Sequence, residues 1–147
     1  MIELIELKAA CNGVLRALRP EMKIYGPDTT GALDRPSFYT EIVPYSTVYL
    51  TKNTAKQSCG FKISLMEETT NEVFELTLLA AIRRAFGLKL NVAERKITIS
   101  SVESEYTGSK NDVFQITIKM EWHDTITEAE KHDLMMEVQY RQKVNGG

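Results

Sequence analysis

Surplus positive charge, long apolar runs and metal-ligand spacings are all scarce in this sequence of 147 residues. With 18 Lys and Arg against 20 Asp and Glu, its formal net charge is -2, and no block of five like charges occurs. A surface that neutralises phosphates needs a local excess of Lys and Arg, so neither non-specific nor sequence-specific nucleic-acid binding is expected. No apolar run approaches the ~20 residues that span a bilayer. The opening MIELIELKAACNG carries Glu3 and Glu6 before its first lysine and is amphipathic, which is wrong for a secretory signal. The expectation is a protein made in the cytosol, with no membrane partner.

Chemistry is equally sparse. The two cysteines, Cys11 and Cys59, form no CxxC pair and read as buried free thiols. His123 and His132 are the only histidines, and neither has the two further ligands or the orienting partner that metal binding or general-base work needs. Neither GxxxxGK[ST] nor GxGxxG occurs, so no phosphate cradle is expected. Glu67-Glu68 and the pair Glu103/Glu105 are carboxylates at close spacing. On a strand, Glu103 and Glu105 share a face, as a catalytic or metal pair would, or as a solvated strand face does. No catalytic, cofactor-binding or metal residue is assigned, and no cofactor is expected.

What is present is an ordinary globular balance of 43% hydrophobic and 26% charged residues over about one domain's length. One domain over 1–147 is the expectation. Leu4, Leu7, Cys11, Val14, Leu15 and Leu18 fall on one helical stripe that ends before Pro20. A short extended piece around Met22–Tyr25 follows, then a loop over Gly26–Pro36, where glycines and prolines break regular structure. From Ser37 to Met66, β-branched and aromatic residues dominate. The segment reads as a long hairpin with a polar tip at Lys52–Gln57, with Phe61, Ile63 and Leu65 on one face and a bend or bulge at Pro44 on an edge strand.

Thr69-Thr70-Asn71-Glu72 contains a capping box, and Gly87 stands where a left-handed C-cap belongs, so a helix is predicted over about Thr70–Phe86. Its apolar residues surround it instead of forming one stripe, which predicts burial on more than one side. Strands follow at Lys96–Tyr106 and Val113–His123, joined by a turn at TGSKND. The second alternates cleanly, with Phe114, Ile116, Ile118, Met120 and Trp122 on one face. Thr127 and Glu130 form another capping box, opening a peripheral C-terminal helix over 127–144 with two thin apolar stripes. The predicted order is α-ββ-α-ββ-α, an α+β fold whose mainly antiparallel sheet, built from two β-hairpins, packs against helices.

Six residues are candidates for partner binding. Lys52 and Lys56 flank the projecting hairpin tip, and either reach a partner or are solvated turn lysines. Arg83 and Arg84, near the end of the central helix, either clamp an acidic partner or complement the helix C-terminus. Leu78 and Leu79 lie on the central helix, and one of them is expected to face away from its own sheet toward a neighbouring subunit. A head-to-tail contact repeated around an axis would cover that apolar surface in every copy.

The run NEVFELTLLAAIRRAFGLKLNVAERKITISSVESEYTGSKNDVFQITIKMEWHD, with PSFYTEIVPYSTVYLTKNTAKQSCGFKISLMEE upstream and the N-terminal amphipathic helix, resembles the phage tail terminator (tail completion) proteins. The likeness covers about Ile2–Asp124 and is to the type found with contractile-tail prophages and phage tail-like bacteriocins. The resemblance implies a non-enzymatic structural protein: a homo-hexameric ring, or collar, in the virion tail, assembled in the bacterial cytoplasm. Its implied partners are the tail tube protein, the tail sheath protein and, in an infectious phage, the head connector. A neck protein facing the portal is the neighbouring alternative. A small-molecule-binding enzyme with Glu103, Glu105 and His123 around one pocket is the alternative of another class.

Overall fold

Apolar spacing of four residues closes the first segment into a helix, α1 (Leu4–Leu18), whose buried residues Leu7, Cys11 and Leu15 form a single stripe. The computed structural model describes residues 2–29 and 31–125. Leu4 lies at the rim of the stripe and is partly exposed. The chain then forms β1 (Lys23–Tyr25), which pairs in parallel with the start of β2 (Ser37–Tyr49). Parallel neighbours cannot be joined by a tight turn, and the loop over 26–36 makes the crossing. It is tied back by the exposed Lys23–Asp34 ion pair and by the Asp34 backbone N–H donating to the Tyr25 hydroxyl at 3.2 Å.

β2 turns into β3 (Thr54–Met66) as an antiparallel hairpin, with the register slipping between Pro44 and Ser46. Pro44 has no N–H to give a ladder, and β1 covers only Ser37–Tyr39, so the proline sits on an open edge. The polar tip is shorter than the sequence suggests, because β3 already begins at Thr54.

Helix α2 (Glu72–Phe86) starts two residues later than the capping box implies. Its N-cap is Asn71, whose Oδ1 accepts from the Phe74 backbone N–H at 3.2 Å. Asn71 thus takes the role expected of Thr69. Gly87, at φ 62°, ends the helix, and its N–H donates to the Arg83 carbonyl. A four-residue strand that the sequence pattern did not mark, β4 (Lys89–Val92), then pairs with β5 (Arg95–Thr107) across a turn holding Ala93 at φ 54°. β6 (Val113–Thr125) closes the sheet by pairing with both β5 and β3. The two predicted hairpins are therefore one six-stranded sheet, in the order β1-β2-β3-β6-β5-β4, mostly antiparallel. The expected helix over 127–144 lies outside the described residues.

Alternation places Phe61, Ile63 and Leu65 of β3 beside Ile118, Ile116 and Phe114 of β6 on one face. There they join Leu7, Cys11 and Leu15 of α1 and Leu78, Ile82 and Phe86 of α2 in one core. Phe61 and Phe86 meet with ring centroids 6.3 Å apart. Each fully buried Leu, Ile or Phe contributes roughly 1.5–3 kcal/mol relative to exposure. α2 is buried on one side only, through Glu75, Leu78, Leu79, Ile82 and Phe86. α1 is the element beside it, and Val73 and Leu76 are left facing outward.

Candidate functional site

The hairpin β2–β3 continues beyond the part of β2 that β1 covers, with β6 beside β3 as far as Thr54, and carries the first two candidates. Beyond the Pro44 bulge it is held by paired polar side chains: the Ser46 and Ser58 hydroxyls at 2.8 Å, and the Thr47 hydroxyl donating to Gln57 Oε1. The Leu50 and Thr51 N–H groups both donate to the Thr54 carbonyl, which fixes the turn. Lys52 is exposed at that turn. Lys56 lies on the strand, directly opposite His123, and its Nζ is 3.2 Å from Glu121 Oε2. The two lysines therefore do not flank a tip as a matched pair: one is on the turn and the other is engaged on the face of the sheet away from the helices.

On the β2 side of the turn the hairpin exposes Val48, Tyr49 and Leu50, each about half accessible. Ser46–Tyr49 offer an edge that no strand among the described residues covers. On the same end of the molecule, Ile2–Ile5, Gln57, Ser58 and Trp122 line a shallow groove, and Ile5 is 83% exposed. On the outer face, Tyr45 lies over Gly60 so closely that a Cβ there would come within 2.7 Å of its ring. Lys119 Nζ stands 6.0 Å from the same ring and 3.0 Å from Glu103 Oε2.

On α2, the expectation that one of Leu78 and Leu79 faces away from the sheet is corrected. Leu78 is 0% and Leu79 8% exposed, and both belong to the core. The outward apolar residues are instead Val73, 76% exposed, and Leu76, 52% exposed. A two-layer packing rotates the helix so that adjacent leucines straddle the buried face, which sequence periodicity around a nearly all-apolar helix could not orient. Arg83 and Arg84 are both exposed. Arg84 Nε donates back to the Ala80 carbonyl at 3.4 Å, and Arg83 borders a shallow cleft with Leu88 and Ile99–Val102.

The alternative enzyme pocket does not form. Glu103 and Glu105 lie opposite Thr117 and Gln115, whereas His123 is six residues further along β6 than Thr117, about 20 Å at strand spacing. Among the described residues, no group of three or more His, Cys, Asp or Glu side chains could hold a metal ion. Cys11 and Cys59 are both buried and free. Burial pushes the Cys59 thiol up to about 11 and raises that of Cys11 further, with Cys59 adding to it. Thiols held protonated in this way are poor nucleophiles.

Two polar clusters escaped the sequence reading. Asp124 is buried at the end of β6, where its carboxylate accepts from Arg95 Nη1 at 2.5 Å and from Trp122 Nε1 at 3.0 Å. Arg95 also donates to the His123 carbonyl. Glu75 is buried on α2 and accepts from the Tyr106 hydroxyl at 2.7 Å. An acidic residue among apolar neighbours was the available signal for Glu75, but its partner is 31 residues away.

No curated protein matches this chain. Two of the solved structures that share its fold illustrate the likeness. One, without a descriptive name, is 11% identical with a TM-score of 0.52, covering 85% of this chain and 96% of its own. The other belongs to the virion of a native gene transfer agent particle and is 17% identical with a TM-score of 0.51, covering 81% of this chain and 94% of its own. At such identities the likeness is one of fold. A match across residues 6–132 to the family described as phage tail terminator protein goes further, and by it the chain belongs to the phage tail terminator family.

Proposed function

We propose that this protein is a structural component of a phage tail that closes into a ring on the head-proximal end of the tail tube, ends its polymerisation and presents a surface for head joining. The observation that carries the reading is the family match over most of the chain. A fold shared with a virion component supports it, since that relative also works inside a particle.

The surface supports a ring of unlike contacts. One end of the molecule bears Val48, Tyr49, Leu50 and Ile5, and the helical layer near the other end bears Val73 and Leu76. Two different apolar patches on one chain favour a heterologous contact, which closes when the rotation between copies divides a circle. Six copies is the number the family resemblance implies, with the tube protein below the ring and, in a contractile tail, sheath protein around it. The open edge at Ser46–Tyr49 suits strand addition from a neighbour.

Electron microscopy of particle ends tests the proposal. Six-fold density for this chain at the head-proximal end of the tube is expected. Density at the tip, at the portal only, or as a two-fold pair would overturn it.

A further inference from the structure

Where β3 ends and α2 begins, the carboxyl group of Glu67, in the connecting segment, is within hydrogen-bonding reach of that of Glu75 on α2. Glu75 is fully buried, and while one of its oxygens accepts from Tyr106, Oε2 has no donor. Glu67, just past β3, has its Oε1 buried and likewise without a donor. Two buried acceptor oxygens without a donor are costly when both groups are charged. One proton placed between them satisfies both, with Glu67 donating as an acid and Glu75 accepting as a carboxylate.

We infer that Glu67 and Glu75 share a proton, forming a clasp that fixes the start of α2 to the end of β3 and, through Tyr106, to β5, and that rising pH opens it. The groups around the pair favour this. Glu72 on α2 adds negative charge near Tyr106, and Glu68 adjoins Glu67 in the connecting segment. Arg35, from the loop before β2, donates its Nη1 to the Glu67 backbone carbonyl at 2.9 Å and not to the carboxyl. Burial first, then the hydrogen bond and charge of Glu75, push the Glu67 carboxyl up to about 7 from an ordinary 4.5, against a smaller opposing pull from the Asn71 backbone N–H. The opened form would release the segment before α2, beside the exposed Val73. This device is independent of the ring.

The sign follows from linkage. A carboxyl whose folded pKa is raised contributes stability that is complete below its unfolded value near 4.5 and is lost as pH rises through about 7. Carbon-13 NMR of the glutamate carboxyls in the full-length protein tests the pair directly. One glutamate, assigned to Glu67 by its disappearance in Glu67→Gln, should titrate with a midpoint near pH 7. A midpoint below pH 5 for Glu67 would overturn the inference. Glutamine at position 67 donates permanently, as the shared proton does. The melting temperature of wild type should therefore fall between pH 5 and 8, while that of Glu67→Gln stays level over the same range. Parallel curves for the two proteins would also overturn it.

Discussion

At the scale of single residues, the buried polar groups are the sharpest points of the structure. Asp124 accepts from both Arg95 and Trp122 at 1% exposure, so its removal strands a buried indole N–H and frees a guanidinium at the end of β6. Losing hydrogen bonds to a charged, buried group costs about 1.5–3 kcal/mol. Asp124→Ala should therefore lower unfolding free energy by about 2–3 kcal/mol in urea titrations, with Asp124→Asn in between. The exposed pair Lys23–Asp34 is the contrast, since an ion pair in water contributes roughly 0–1 kcal/mol. Among the described residues, histidine and cysteine, the residue types most often recruited for chemistry, have no such partners: Cys11 and Cys59 are core residues, and His123 is exposed on the sheet.

At the scale of elements, α2 and the first hairpin decide what the molecule can present. Because Leu78 and Leu79 are both in the core, a charge at either buries an unpaired carboxylate. Leu78→Glu and Leu79→Glu should both fail to yield folded protein, as judged by circular dichroism and solubility. Val73→Glu and Leu76→Glu should fold normally, with stability changes within about 0.5 kcal/mol. If Leu79→Glu gave a well-folded monomer instead, the packing of α2 described above would be wrong. On the hairpin, Lys52→Glu with Lys56→Glu removes the Lys56–Glu121 pair and places two carboxylates together on the outer face. The penalty at that exposed position is about 1 kcal/mol or less. The double variant should stay folded yet bind tubes less well in a co-sedimentation assay, and undiminished binding would remove the hairpin from the contact.

At the scale of the whole molecule, the described residues form one sheet layer with helices on one face, so the apolar side chains of α2 that the core does not take are left to solvent. The expected consequence is that Val73→Glu, silent in the monomer, prevents ring formation on tube ends while the protein stays soluble. Ring counts by negative-stain microscopy would check it, and rings at wild-type frequency would exclude α2 from the subunit interface. With unlike patches toward the two ends of the molecule, a heterologous contact is lost when either side is spoiled, so a charge in α2 is enough to test it.

Local periodicity by itself determined a good deal: α1, the hairpin with its bulge at Pro44, the alternating strand from Val113 to His123 and the glycine that ends α2 were all legible, because each depends on residues within a few positions of one another. Family membership was legible in the order and texture of the same elements. Only the tertiary structure decided that the two hairpins join through β3 and β6, that Lys89–Val92 is a strand, and which side of α2 meets the core. Those outcomes turn on register between segments distant in the chain, and a helix apolar nearly all round carries no local mark of its buried side. The Glu67–Glu75–Tyr106 and Asp124–Arg95–Trp122 clusters belong to the same class. Their members look like ordinary surface residues until the fold takes away their water.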